Sequence, residues 1–167
     1  MTPARGTAPT EHDWDVVRAL RLAALADSPD AFDSSLAREE SRPEQDWRAA
    51  LREGGQRLAW LDDWLDDRRD GRPVGMARGA RHRDEHHLVG MWVSPAARGS
   101  GAAGALVDAV VGWAREQAAP RLYLWVVGDN EAATRLYRGR GFAPTGRVQP
   151  LPTRPWQIEQ QYALELS

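Results

Sequence analysis

The chain contains no cysteine. Disulfides, thiolate metal ligands and a cysteine nucleophile are thereby excluded. It contains no lysine either, so all 22 basic residues are arginine. A Schiff-base amine and a phosphate-loop lysine are absent with it. Asparagine and isoleucine occur once each, as Asn130 and Ile158. Lys, Asn and Ile have AT-rich codons, so their scarcity points to a GC-rich bacterial genome. No apolar run approaches the length of a membrane span, and no basic start precedes an apolar segment. The expectation is a cytoplasmic protein with no membrane partner and no secretory signal. A net charge of -2 also argues against a broad electrostatic grip on nucleic acid or acidic lipid.

What is present is a globular mixture, 42% hydrophobic and 28% charged over 167 residues. That is enough for one domain, expected over 1–167, and too little for two ordinary ones. Residues 1–12 have no clear period and read as a frayed terminus or a short edge strand. Helical periodicity starts at Asp13, where Trp14, Val17, Leu20 and Ala24 recur at three and four. Asp13 or Asp15 is able to cap this helix, and Asp27-Ser28-Pro29-Asp30 should stop it. A second helical stretch covers 34–40. A third starts at Pro43 and carries Trp47, Ala50 and Leu51 as far as Gly54-Gly55.

The period then changes to that of strands, expected at 56–61, 74–81 and 86–93. The first two are joined by an excursion over 62–70 whose acidic residues, Asp62, Asp63, Asp66 and Asp67, suit a solvated tip. Residues 101–119 are helical, with Leu106, Val107, Val110, Trp113 and Ala114 in one stripe and Pro120 as the stop. Residues 122–127 are uninterruptedly apolar, as in a strand covered on both faces. A short helix over 131–140 is closed by Gly141. Strands over 142–147 and 157–166 flank a loop at Pro150, Pro152 and Pro155. This order predicts an α/β fold of the α+β kind: a central mixed, mostly antiparallel sheet flanked by helices, with a parallel strand-helix-strand core.

The loop before the long helix reads Gly99-Ser100-Gly101-Ala102-Ala103-Gly104. Small residues there let backbone amides approach a phosphate at the positive end of a helix. Read literally it is the dinucleotide-binding G-x-G-x-x-G. In that fold, however, the first glycine follows its strand almost directly. Here Ser94-Pro95-Ala96-Ala97-Arg98 intervene, and the last 40 or so residues cannot complete a doubly wound sheet. A serine-hydrolase elbow fails because Arg98 stands where G-x-S-x-G needs glycine. The cluster Arg81-His82-Arg83-Asp84-Glu85-His86-His87 has no diagnostic ligand spacing, so no metal is expected.

A different spacing fits. Arg98-x-x-Gly101-x-Ala103, preceded by Met91-Trp92-Val93-Ser94-Pro95, resembles the pyrophosphate loop of the GNAT superfamily of N-acetyltransferases. The segment from Asn130 to Phe142 is similar to that family's Asn-x-x-Ala-x-x-Leu-Tyr-x-x-x-Gly-Phe. The resemblance implies a GNAT-like fold with acetyl-CoA as cosubstrate. It implies that backbone groups of Met91, Trp92 and Val93 pair with the pantetheine arm, one N–H serving as oxyanion donor. Amides of Gly99, Ser100, Gly101, Ala102, Ala103 and Gly104 would cradle the pyrophosphate, with Arg98 opening the loop. Asn130 would bond the pantetheine, Ala133 belongs to the same segment, and Tyr137 would protonate the departing thiolate. Each has a plainer counterpart: a simple strand-helix turn, a solvated arginine, a core tyrosine.

The implied reaction is direct transfer of acetyl to a primary amine of a small molecule. Rivals are a protein N-terminal or lysine acetyltransferase and a non-catalytic acyl-CoA-binding module. Several relatives place a catalytic glutamate where this chain has Trp125. Trp125 is then either core or a wall of the acceptor cavity, and the base must come from elsewhere. Glu85, His86 and Glu159 are candidates, as is ordered water. A monomer or a homodimer is expected.

Overall fold

A computed structural model of the chain describes residues 3–32, 34–61, 72–152 and 154–167. The acidic excursion expected at 62–70 lies outside the described residues. The order of elements is β1 (Ala4–Thr7), α1 (Trp14–Asp27), α2 (Leu36–Glu40), α3 (Glu44–Arg52), β2 (Gln56–Leu61), β3 (Gly75–His82), β4 (Glu85–Val93), α4 (Ala102–Glu116), β5 (Arg121–Val127), α5 (Glu131–Arg138), β6 (Ala143–Leu151) and β7 (Arg154–Glu165). The strands form one sheet in the order β1-β2-β3-β4-β5-β7-β6. Every neighbouring pair is antiparallel except β4 and β5, which α4 connects as a parallel crossover. The mixed, mostly antiparallel sheet with its parallel core is therefore present. The N-terminal segment is the edge strand.

Each face of the sheet is sealed by a different set of helices. Leu106, Val107 and Val110 of α4 have no exposure and pack with Leu122, Leu124 and Tyr137. Burying each such side chain contributes roughly 1.5–3 kcal/mol. On the opposite face Val17, Leu20 and Leu25 of α1 pack with Phe32, Leu51, Leu58, Met76 and Trp92. Strand alternation sends Leu58 to one cluster and Ala59 to the other.

Three local expectations need correction. Neither acid at the start of α1 caps it: Asp13 makes no cap bond, and Asp15 Oδ1 accepts only from Val16 N. The capping box belongs to the preceding 3-10 turn, Glu11–Asp13. There the Asp13 carboxylate accepts from Thr10 N and the Thr10 hydroxyl serves as the cap. Helix α4 ends at Glu116, before Pro120. Ala118, at φ 55, turns the chain so that Ala119 N donates to Ala114 O, the hydrogen bond of a Schellman turn. Finally, of the three prolines expected in a loop, Pro152 lies in the turn between β6 and β7, but Pro150 and Pro155 lie inside those strands. Pro144 and Pro150 are tolerated because β6 is an edge, and Pro155 because β7 pairs with β5 only from Glu159 onward.

Candidate active site

The two parallel strands at the centre pair only at His86↔Leu122 and His87↔Tyr123. Beyond that point they part, and no other described strand pairs with β4 on that side. The cause is on β4. Met76 pairs with Trp92 and Arg78 with Val89, so β4 carries one residue more than β3 over this stretch. The extra residue is accommodated at Gly90, whose φ of +64 is a left-handed value that glycine adopts without a Cβ penalty. Such a bulge bends its strand and increases its twist. The backbone edge of β4 thus turns from strand pairing toward open space.

That space is a cleft of about 1090 Å³. Val89, Gly90 and Met91 of β4 form one wall, and Trp125 and Val127 of β5 form the other. Strand β5 is covered on one face only: Leu122, Leu124 and Val126 are sealed, while Tyr123, Trp125 and Val127 are half-buried. The expectation of two covered faces is corrected by this alternation. The second apolar face of β5 borders cavities instead of a helix.

Helix α5 brings Asn130, Ala133 and Tyr137 to the same cleft. Asn130 is its N-cap: Oδ1 accepts from Ala133 N at 3.1 Å. At the other end Gly141, at φ +90, lets Phe142 N donate to Tyr137 O at 3.1 Å. Tyr137 is 6% exposed and its ring packs edge-on against Phe142. Its hydroxyl makes no hydrogen bond among the described residues. Burial pushes the phenol up to about 12, so the group holds its proton at any working pH.

The loop from Arg98 to Gly104 lies outside the cleft, at the N-terminus of α4. Gly99 and Gly101 have φ of +80 and +89, and a Cβ built on either meets nothing within 4 Å. The loop surface is therefore open over the first turn of a 15-residue helix, where amides and helix dipole favour an anion. Arg98 is tied back to the core: Nη2 donates to Asp27 Oδ2 at 2.9 Å and Nε to Val93 O at 3.2 Å. Asp27 also accepts from Trp92 Nε1 at 3.0 Å. Hydrogen bonds from Trp92, Ser28 and Arg98 hold its carboxyl below the usual range.

Of the four acceptor-side candidates, the fold brings Trp125 and Glu159 to the cleft. Glu159 is buried and accepts from Gln149 Nε2 at 2.6 Å. Glu85 and His86 sit at the closed end of β4. His86 points into the core against Trp113, and burial lowers its pKa. Glu85 pairs with His87 and Arg147. Neither lines the cleft. Among the described residues no group of three or more His, Asp or Glu is arranged to hold a metal ion. The residues that sequence reasoning missed are Arg21, Glu39, Arg78 and Arg154, all on the cleft. They carry no motif, because each comes from a different element.

A seven-stranded mixed sheet, a bulged β4, a parting β4-β5 pair and a glycine loop at the N-terminus of α4 together define the fold. The sequence model of the acetyltransferase (GNAT) family matches residues 21–142, and the chain belongs to that family. It is 43% identical over 74 residues to a mycothiol acetyltransferase from Nocardiopsis dassonvillei, a match covering 44% of this chain and 19% of that protein. The chain thus spans under a fifth of that relative. Its fold is similar to that of a ribosomal-protein-alanine N-acetyltransferase from Brucella melitensis, with TM-score 0.74 and 22% identity over 96% of this chain and 99% of that one. It is also similar to a Salmonella typhimurium protein described as an acetyltransferase and solved with its cofactor acetyl-CoA. There the TM-score is 0.73 and the identity 16%, over 99% of this chain and 95% of that one.

Proposed function

We propose that residues 1–167 act as one acetyl-CoA-dependent domain that transfers the acetyl group directly to a primary amine of a small molecule. The observation that carries this reading is the unpaired, bulged edge of β4 facing a buried, protonated Tyr137 across one cleft. Acetyl-CoA, when bound, supplies the activated acetyl group as a thioester. The loop amides not used by the turn itself suit its pyrophosphate, Ser100 N and Ala102 N being bonded to Ala97 O and Ser100 Oγ, and the β4 edge at Met91 to Val93 suits its amide-bearing arm. Asn130 Nδ2 makes no hydrogen bond among the described residues and suits the same arm, since capping uses Oδ1. Backbone N–H groups at the bulge aim dipoles at negative charge that develops beside them.

Tyr137 holds a proton on its phenol oxygen at the cleft wall. With a pKa of about 12, full transfer to a thiolate whose thiol titrates near 8.5 is uphill by about 5 kcal/mol. The phenol therefore acts first as a hydrogen-bond donor to charge building on the leaving sulfur. The proton that completes the thiol comes from the amine nitrogen, which loses it as the C–N bond forms, relayed by water. Glu159, buried at the other side, accepts a proton from the incoming amine directly or through water.

The test is release of free thiol from acetyl-CoA with a panel of small amines, run beside peptides with free N-terminal alanine and lysine-containing peptides. Turnover with small amines is the expected result. Preference for the peptides would move the acceptor to protein. CoA binding without turnover of any amine would leave a binding module.

A further inference from the structure

We propose that the acceptor amine carries an anionic group, a carboxylate or a phosphate, and that Arg78 together with Arg21 binds it. This rests on the acetyl-transfer reading of the same cleft. Three guanidinium groups converge on the α1 side of the cleft: Arg21 from α1, Arg42 before α3 and Arg78 from β3. One buried carboxylate, Glu39, stands among them. Its two oxygens lie 3.6 Å from Arg21 Nη2 and 3.6 Å from Arg42 Nη1. Arg78 makes no hydrogen bond or ion pair among the described residues. Glu39 is shared by Arg21 and Arg42, so the Arg78 charge has no carboxylate partner at this corner, while the cleft lining as a whole balances four arginines with Asp30, Glu39, Asp129 and Glu159. Arg21 and Arg42 are partly withdrawn from water and Arg78 is exposed at the cleft; a guanidinium without a partner beside two others favours a counter-charge.

Strand β7 adds bare polar atoms. Arg154 Nε and Gln157 Oε1 are buried and have no hydrogen-bond partner among the described residues, although both residues line the cleft. Arg154 otherwise reaches only the Asp30 carbonyl, at 3.5 Å. Buried polar atoms are nearly always satisfied, by protein, water or ligand. A guanidinium N–H left bare on the cleft wall asks for an acceptor, which an anionic group supplies.

The cationic corner adjoins the transfer point. A Cβ built on Gly90, at the bulge, would lie 3.9 Å from Arg21 Nη1. The anion and the reacting amine are therefore separated by a short spacer, as in an amino acid or a phosphorylated amino alcohol. Trp125 and Glu159, on the β5-β7 wall, suit the ammonium form as it arrives. In the reaction the amine nitrogen loses a proton and forms the C–N bond, the C–S bond breaks, and CoA leaves as the thiol. The anionic group takes no part in bond making and serves to hold the acceptor.

The experiment uses matched acceptors at saturating acetyl-CoA with free thiol as the readout: phenylalanine against phenethylamine, and phosphoethanolamine against ethanolamine. The anion-bearing partner of one pair is expected to have the higher kcat/KM by about 10- to 100-fold, the effect of a charged hydrogen bond. The pair that responds tells carboxylate from phosphate. Arg78→Gln should raise the acceptor KM by a similar factor and erase the preference, with the acetyl-CoA KM unchanged as evidence of an intact fold. Arg78→Lys should restore part of it. Equal rates within both pairs, a preference for uncharged partners, or a preference that survives Arg78→Gln would overturn the proposal. So would calorimetric binding of acetyl-CoA with turnover of neutral amines only, which leaves the transferase reading standing. Absence of acetyl-CoA binding would bring down that reading, and this inference with it.

Discussion

A tyrosine in water titrates near 10, and burial moves Tyr137 up to about 12. Two outcomes follow. Tyr137→Phe should lower kcat by a factor on the order of 10²–10⁴ while the acetyl-CoA KM changes little; steady-state kinetics checks this, and a normal kcat would give the role to water. The folded chain also holds this proton more tightly than the unfolded one. Its contribution to stability is therefore complete below pH 10 and is lost as the pH rises through 12. Urea midpoints taken across that window should fall less in Tyr137→Phe, the difference reaching at most about 3 kcal/mol. Gly101 is the second decisive residue. At φ +89 with open space before it, an aspartate costs the fold only about 1 kcal/mol in backbone strain. It places a carboxylate where the loop amides face out. Gly101→Asp should remain folded by circular dichroism and show no CoA binding by calorimetry.

At the scale of elements, alternation along β5 divides structural from functional side chains. Trp125 shares its face with Tyr123 and Val127 and stands half-buried over the cleft. Trp125→Ala should raise the acceptor KM and leave the acetyl-CoA KM nearly unchanged. Equal effects on both, or unfolding, would return the indole to a packing role. Helix α4 carries a correctable flaw, since Ala118 occupies a left-handed position at φ 55 where glycine is the usual residue. Ala118→Gly should stabilise the protein by about 1 kcal/mol in thermal unfolding. Most elements were legible to within a residue or two, because the apolar spacing of Leu106, Val107 and Val110 or of Leu122, Leu124 and Val126 is a local property. The end of α4 was not, because proline was read as the stop when an alanine had already turned the chain. The strand positions of Pro150 and Pro155 were missed because edge position, which excuses proline, is set by the neighbours.

For the molecule as a whole, Asp27 couples the end of α1 to the loop before α4. Its carboxylate accepts from Trp92 Nε1 and Arg98 Nη2. Asp27→Ala leaves a buried indole N–H without its acceptor, a loss of about 1–3 kcal/mol. It also releases the arginine that opens the loop. Thermal unfolding should show the destabilisation and calorimetry a weaker acetyl-CoA affinity; unchanged affinity would mean that the loop is held by its own turns.

The sequence by itself determined the helices, the strands, the glycine loop and the Asn130 to Phe142 segment, and with them the family. These depend on spacing within a dozen residues, where period, cap and turn chemistry act directly. The tertiary structure alone decided the rest. The bulge at Gly90 is a one-residue mismatch that exists only when β4 lies beside β3. The cleft's charged groups, Arg21, Arg78 and Arg154 with Asp30, Glu39 and Glu159, are far apart in the chain and are brought to one cavity by packing. His86 and Glu85 stood beside the right strand in sequence, yet strand direction placed them at its closed end. A site assembled from side chains of separate elements leaves no period to read, because Coulomb forces and packing depend on distance in space and not on distance along the chain.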